Sequence, residues 1–252
     1  MPLYAYGLMR AEDGQEAAKA LTEASVEAIE LGGICALVTS LGEGDLTLRR
    51  ESALAHSDTL QAAFQHGPVL PVRFGTVLGD AGALRDELLA PQATALRARL
   101  EALEGLAEMQ VKATYVEEPL LRSIVGGDPR LAQTAARIRE LPAAATHFER
   151  IRLGETISQE VEARRQQDSH QLVEALAPLA VAISLREPRH ERAVLNASFL
   201  VAQDRLEAFD AEMERFAQGA AGRIRFKLIG PMPAHSFAEG RWQAGVPDGS
   251  VA

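Results

Sequence analysis

The chain has 252 residues, 47% of them apolar and 24% charged, with a formal net charge of −9. That balance predicts a packed core rather than disorder, and the acidic surplus argues against nonspecific binding to nucleic acid or to an anionic membrane surface. A single cysteine, Cys35, excludes an internal disulfide and suits a reducing cytoplasm.

The first residues, "MPLYAYGLMRAEDG", carry neither a basic n-region nor a long apolar h-region, so no secretory leader is expected. No run approaches the ~18 apolar residues of a membrane span. Leu3–Met9 predicts a strand, and a polar helix follows over about 15–24. "SVEAIEL" and "ICALVTSL", joined by Gly32-Gly33, predict a hairpin. "ESALAHSDTLQAAF" repeats Leu54, Ser57, Leu60/Gln61 and Phe64 at helical spacing. Val69–Phe74 predicts the next strand. A helical region over about 81–102 is interrupted at Pro91 and ends at Gly105.

The order then restarts. Met109, Val111, Ala113 and Tyr115 alternate with polar residues, which predicts a half-buried strand. Helical pieces follow over 118–125 and 129–141, then a long helix over 146–179 and a strand over 179–185. Ala193, Leu195, Ala197, Phe199 and Val201 share one face of the next strand. Leu206, Phe209, Met213 and Phe216 stripe an amphipathic helix, with Asp204 and Glu207 spaced as a capping box. "GRIRFKLIGP" closes the set. The order β-α-β-β-α-β occurs twice. It predicts an α+β protein of two ferredoxin-like (split β-α-β) domains with antiparallel sheets in strand order 4-1-3-2, the second with extra helices. The expected domains are 1–104 and 105–238, followed by a Pro/Gly-rich tail over 239–252. Pro71 is tolerated because the fourth strand of such a sheet lies at an edge.

Catalytic and metal-binding patterns are missing from the sequence. The six histidines fall in no ligand spacing, Cys35 has no C-x-x-C partner, and there is no nucleophile elbow or phosphate-binding glycine loop. No metal, no cofactor and no catalytic residue are therefore expected. "GEGD" at Gly42–Asp45 reads as a turn and Cys35 as a core thiol. His56, Ser57 and Asp58 cannot form a relay, because consecutive helical residues point about 100° apart. The basic stripe Arg223, Arg225 and Lys227 reads as charge pairing with Glu108 and its neighbours rather than as an RNA-reading sheet. Two features favour binding over catalysis. The N-terminal sheet is apolar on both faces, so it is expected to need cover beyond its own helices. The middle of the long helix, "EARRQQDSHQ", is polar all round and is expected to project past its sheet.

"PVLPVRFGTVL" resembles the P-V-R-F-G-T signature of the gas vesicle protein F/L family. "YAYG", "AHSDTL" and "GPMPAHSF" match further landmarks of that family in the same order, over roughly 3–237. Met232, Ala234 and His235 stand where the family usually has tryptophan, proline and tyrosine. The resemblance implies two ferredoxin-like domains. It also implies a non-enzymatic accessory or minor structural protein of gas vesicle assembly, cytoplasmic and associated with gas vesicles. Its partners would be the small apolar shell protein and other accessory proteins, not nucleic acid. The alternative is a metabolite-sensing regulatory protein built from paired ferredoxin-like domains. The candidate protein-binding residues are Tyr4, Tyr6, Pro71, Arg73, Phe74, Gly75 and Thr76, with a candidate tail segment at Gly230, Pro231, Pro233 and Phe237. Alternation along 69–75 would place Leu70, Val72 and Phe74 against the helices and Arg73 outward. There Arg73 would either pair inside the protein or join the surface that receives the shell protein.

Overall fold

The structure, a computed structural model, describes residues 1–42, 50–188, 190–238 and 247–248. Most of the expected turn at 42–45, and all of the expected tail except Pro247 and Asp248, lie outside the described residues. The chain divides into two compact units. One comprises Met1–Met109, Leu200–Asp204 and Gly230–Ala244; the other comprises Gln110–Phe199, Arg205–Ile229 and Gly245–Ala252.

The first unit is built on β1 (Leu3–Arg10), β2 (Glu27–Leu31), β3 (Ile34–Ser40), β4 (Leu70–Pro71) and β5 (Val77–Leu78). The sheet order is β2-β3-β1-β4, with β5 also paired to β1. This is the ferredoxin-like order read from the other edge. Helices α1 (Ala11–Ala20) and α2 (Arg50–Phe64) pack on one face. There Met9, Cys35 and Leu37 meet Ala17, Leu60 and Val69 in a closed apolar cluster.

The opposite face is covered as well, which corrects the expectation that something outside the domain must cover it. The chain after β5 runs through α3 (Ala81–Ala83), a π-helical turn at Leu84–Leu89, a 3₁₀ turn at Ala90–Gln92 and α4 (Ala93–Ala102). This segment packs on β1, β2 and β3. Leu84, Leu89 and Leu100 are fully buried, as are Ala36 and Val38 of β3. Pro91 does not end the helical path. Lacking an N–H, it cannot complete a regular ladder, and the chain widens to a π turn before it and tightens after it. Asp80 starts the segment by accepting a hydrogen bond from the Ala83 N–H at 2.9 Å. Each buried leucine contributes about 1.5–3 kcal/mol of apolar transfer. The all-apolar pattern of β3 therefore marks a strand covered on both faces from within its own unit.

The second sheet has the order β10-β7-β8-β6-β9, made by β6 (Leu106–Tyr115), β7 (Ala180–Leu185), β8 (Ala193–Ala202), β9 (Ile224–Met232) and β10 (Pro247–Asp248). The four long strands repeat the ferredoxin-like order, and β10 adds to β7 in parallel. Helices α5 (Glu117–Gly127) and α6 (Pro129–Glu140) are inserted before α7 (His147–Leu176) and pack on it. Helix α8 (Leu206–Gly219) brings Phe209 against Phe199 of β8, with ring centroids 5.4 Å apart. The capping box expected at Asp204 and Glu207 does not form. A 3₁₀ turn at Gln203–Arg205 precedes α8, and no side chain caps its first residue.

Two charge readings are also corrected. The polar middle of α7 is not simply solvated: Asp168 is buried, accepts the Tyr115 hydroxyl at 2.5 Å and pairs with Arg223. Glu108 is buried too and takes its partners from Ser236, not from the basic stripe. A buried carboxylate must find donors close at hand. In both places the fold supplies one that is distant in sequence.

Candidate functional site

The P-V-R-F-G-T stretch is not a continuous strand. Leu70 and Pro71 pair with Leu8 and Gly7 of β1, and Val77 and Leu78 pair with Tyr4 and Leu3 further along the same strand. Between them Arg73–Thr76 forms a tight turn, closed by the Thr76 N–H donating to Arg73 O at 3.1 Å. Gly75, at φ +87°, is the only residue from 73 to 76 with positive φ. That is the signature of a type II turn with glycine at its third position. The Thr76 hydroxyl donates to the same Arg73 carbonyl at 2.7 Å. The strict alternation expected over 69–75 therefore fails, and Val69 and Leu70 are both buried. Pro71 is tolerated as expected at an edge. The Val72 N–H donates to Tyr6 O at 2.9 Å, so the N–H that Pro71 lacks would have pointed away from β1.

Tyr4, Tyr6 and Phe74 gather around His56 of α2. The His56 ring stacks on Tyr6 at 5.5 Å and meets Tyr4 at 5.7 Å and Phe74 at 5.5 Å edge-on. His56 Nδ1 lies 2.8 Å from Tyr4 Oη. The Val72 backbone offsets part of the effect of burial on the ring's charge. The Tyr4 hydroxyl takes an N–H from Gly75, which leaves its own proton for Nδ1, and the neutral ring then carries its proton on Nε2. Tyr4 Oη accepts in turn from the Gly75 N–H at 3.4 Å. Burial pushes the His56 pKa below its ordinary value, and His235 lowers it further. Burial likewise raises the Tyr4 pKa. Together these groups form a neutral hydrogen-bonded chain from α2 to the turn.

The candidate tail segment reaches the same helix. Pro231 O accepts from Gln61 Nε2 of α2 at 2.9 Å. Ser236 donates its N–H and its hydroxyl to the two oxygens of Glu108, each at 2.7 Å. Pro233, Ala234 and Phe237 are buried. Gly230 has φ +141°, and a Cβ there would fall 2.6 Å from Glu108 O, so the close approach of strap to strand needs glycine. The landmarks "YAYG", "AHSDTL", "PVRFGT" and "GPMPAHSF" thus converge on α2. Pro71, Arg73 and Thr76 shape the turn without touching His56. The Arg73 side chain is exposed and makes no ion pair or hydrogen bond among the described residues.

His56, Gln61 and Glu108 were not singled out as site residues from the sequence. His56 lies one helical turn from Leu60 on the apolar side of α2, a polar residue at a core position, and that was the available signal. Nothing local marks Glu108, whose partner is 128 residues away. Cys35 is a core thiol: it is fully buried, and burial, aided by Glu30, pushes its pKa up to about 12.

Residues 2–239 match the family model described as gas vesicle synthesis protein GvpL/GvpF. The chain belongs to the GvpL/GvpF family. Gas vesicle protein F of Streptomyces sp. (strain CB03234) is 32% identical over 209 residues, which cover 82% of this chain and 85% of that one. Gas vesicle protein F of Dolichospermum flosaquae is 23% identical over 242 residues, covering 95% and 98%. The crystal structure of GvpF from Anabaena sp. PCC7120 superposes with a TM-score of 0.78 at 21% identity, over 94% of this chain and 98% of that one. The fold is therefore shared, and the family membership makes this a gas vesicle accessory protein. No helix among the described residues is long and apolar enough to cross a membrane.

One further concavity belongs to the second unit. A cleft of about 1000 Å³ lies between α5, α7 and the connection from β7 to β8. Arg192 on its rim pairs with Glu117, and Arg165 pairs with Glu162. Its two guanidinium groups are thus already neutralised, and no candidate residue of the GvpL/GvpF landmarks lines it.

Proposed function

We propose that this protein is a non-enzymatic assembly factor, working in the cytoplasm at gas vesicles. It binds the small apolar shell protein, and with it other accessory proteins, through the open sheet edge of its first unit. The Arg73 turn carries this reading. Tyr4, His56 and Thr76 spend their hydrogen bonds on holding that turn, yet its guanidinium has no partner among the described residues. A side chain held on a rigid frame and left unpaired is preorganised for a partner. Split strands of two residues each also make a poor template for indiscriminate strand addition. Recognition then falls to Arg73 and to the half-buried Phe74 beside it. Arginine suits this role, because its stem lies on apolar surface while the guanidinium reaches a carboxylate or carbonyls.

The test is capture of shell protein by the native chain and by Arg73→Ala. The expected result is a clear loss of capture with the unfolding free energy changed by no more than about 0.5 kcal/mol, as for other surface substitutions. Undiminished capture would remove Arg73 from the binding surface.

A further inference from the structure

We infer that His56 is a pH-operated latch: protonating it frees the Arg73–Thr76 turn from α2. The latch acts on the turn assigned above to shell-protein binding and rests on that reading only for its biological consequence.

His56 is buried at the meeting point of four segments. From β1 it is faced by the Tyr4 hydroxyl and the Tyr6 ring. The edge turn brings the Phe74 ring and the Val72 backbone. From the strap, His235 lies near enough to act on its charge. No carboxylate pairs with the ring among the described residues. The site is therefore built for a neutral imidazole. A second ring proton would sit on Nδ1, the atom that now accepts the Tyr4 hydroxyl. Tyr4 Oη would then face two donors, His56 and the Gly75 N–H, and would have to turn its own proton away. The new charge would be buried without a counter-ion, with another histidine near it on the strap. The cost falls on the edge turn, whose Phe74 ring packs on His56 and whose Gly75 N–H shares the Tyr4 hydroxyl with it, while the 231–237 strap keeps its own hydrogen bonds, Gln61 to Pro231 and Ser236 to Glu108.

The sign follows from the direction of the shift. Closed, His56 binds a proton less readily than an ordinary imidazole; open to water, it titrates at about 6.5. Above that pH both states are neutral and closure is undisturbed. As pH falls through that value the open state gains the proton first, and closure weakens progressively.

Amide hydrogen exchange on the whole chain, corrected for intrinsic rate and run without shell protein, reads the latch separately from binding. Between about pH 7.5 and about pH 5.5, protection at residues 73–76 should fall by up to about tenfold. That is the limit for a group titrating at about 6.5 only in the open state. Protection in β3 should not follow. His56→Gln keeps an acceptor for Tyr4 but cannot gain a proton, and should abolish the fall. His235→Asn should reduce it but leave it present. An NMR titration of the native His56 ring should have its midpoint below about 6.5, while the loss of protection already sets in at that pH, a check independent of any variant. Unchanged protection in the native chain would overturn the latch. So would a full fall in His56→Gln, no fall in His235→Asn, or a native His56 midpoint at or above about 6.5.

Discussion

In the first unit the fourth strand is split into β4 and β5 around a turn, and neutral hydrogen bonds from Tyr4 and His56 hold it in place. In the second, β9 runs unbroken from Ile224 to Met232, and its entry is held by the Arg223–Asp168 pair, with the Tyr115 hydroxyl on the same carboxylate. The same order of strands and helices thus secures an edge in two electrostatic ways. An ion pair with an added hydroxyl anchors a regular strand firmly, because removing one partner strands the other. A neutral tyrosine–histidine chain costs less to bury, tolerates a kink and depends on the histidine staying uncharged. On the kinked edge the Arg73 side chain is exposed on a turn, without an ion pair or hydrogen bond among the described residues.

Three measurements would break or sharpen that contrast. The largest effect is expected from Phe237→Ala, which removes the buried ring of the 231–237 strap in the first unit. Urea unfolding should show a loss of about 3–5 kcal/mol, the range for truncating a core phenylalanine. A loss below about 1 kcal/mol would mean that the strap does not secure this edge. Next comes Asp168→Ala, which leaves Arg223 and the Tyr115 hydroxyl without their acceptor. About 3 kcal/mol is expected, the low end for breaking a buried pair, because Arg223 keeps some access to water. Asp168→Asn should lose less, since an amide oxygen still accepts. If both variants lose equally, charge contributes nothing and the contrast between the units narrows to geometry. The smallest is Gly75→Ala, at about 1–2 kcal/mol, because alanine is strained at φ +87°. An unchanged stability would show that the turn is not held as rigidly as the binding reading requires.

The correspondence between sequence and structure is uneven for physical reasons. The twofold β-α-β-β-α-β order was legible because periodicity of two or of about 3.6 is a local signal, present in each segment alone. The split of the fourth strand was locally encoded too. Phe74-Gly75 before a threonine is turn chemistry, but apolar neighbours on both sides made it read as strand. The cover on the second face of the first sheet does not show in the helical pattern of 81–102, because periodicity gives an element's type and not the face of the sheet it will cover. His56 was set aside because its neighbours in sequence could not form a relay. Its actual partners come from Tyr4 and the edge turn.

What the sequence by itself determined is therefore the set of elements, the edge position of Pro71 and the family landmarks, all of which rest on short-range patterns. Tertiary structure alone decided that those landmarks meet on α2, that Glu108 receives Ser236 and that Asp168 receives Arg223. Each of these contacts joins residues 52 or more positions apart. At that separation the partner of a buried polar group is chosen by where the fold brings a matching donor or acceptor, and no local pattern records the choice.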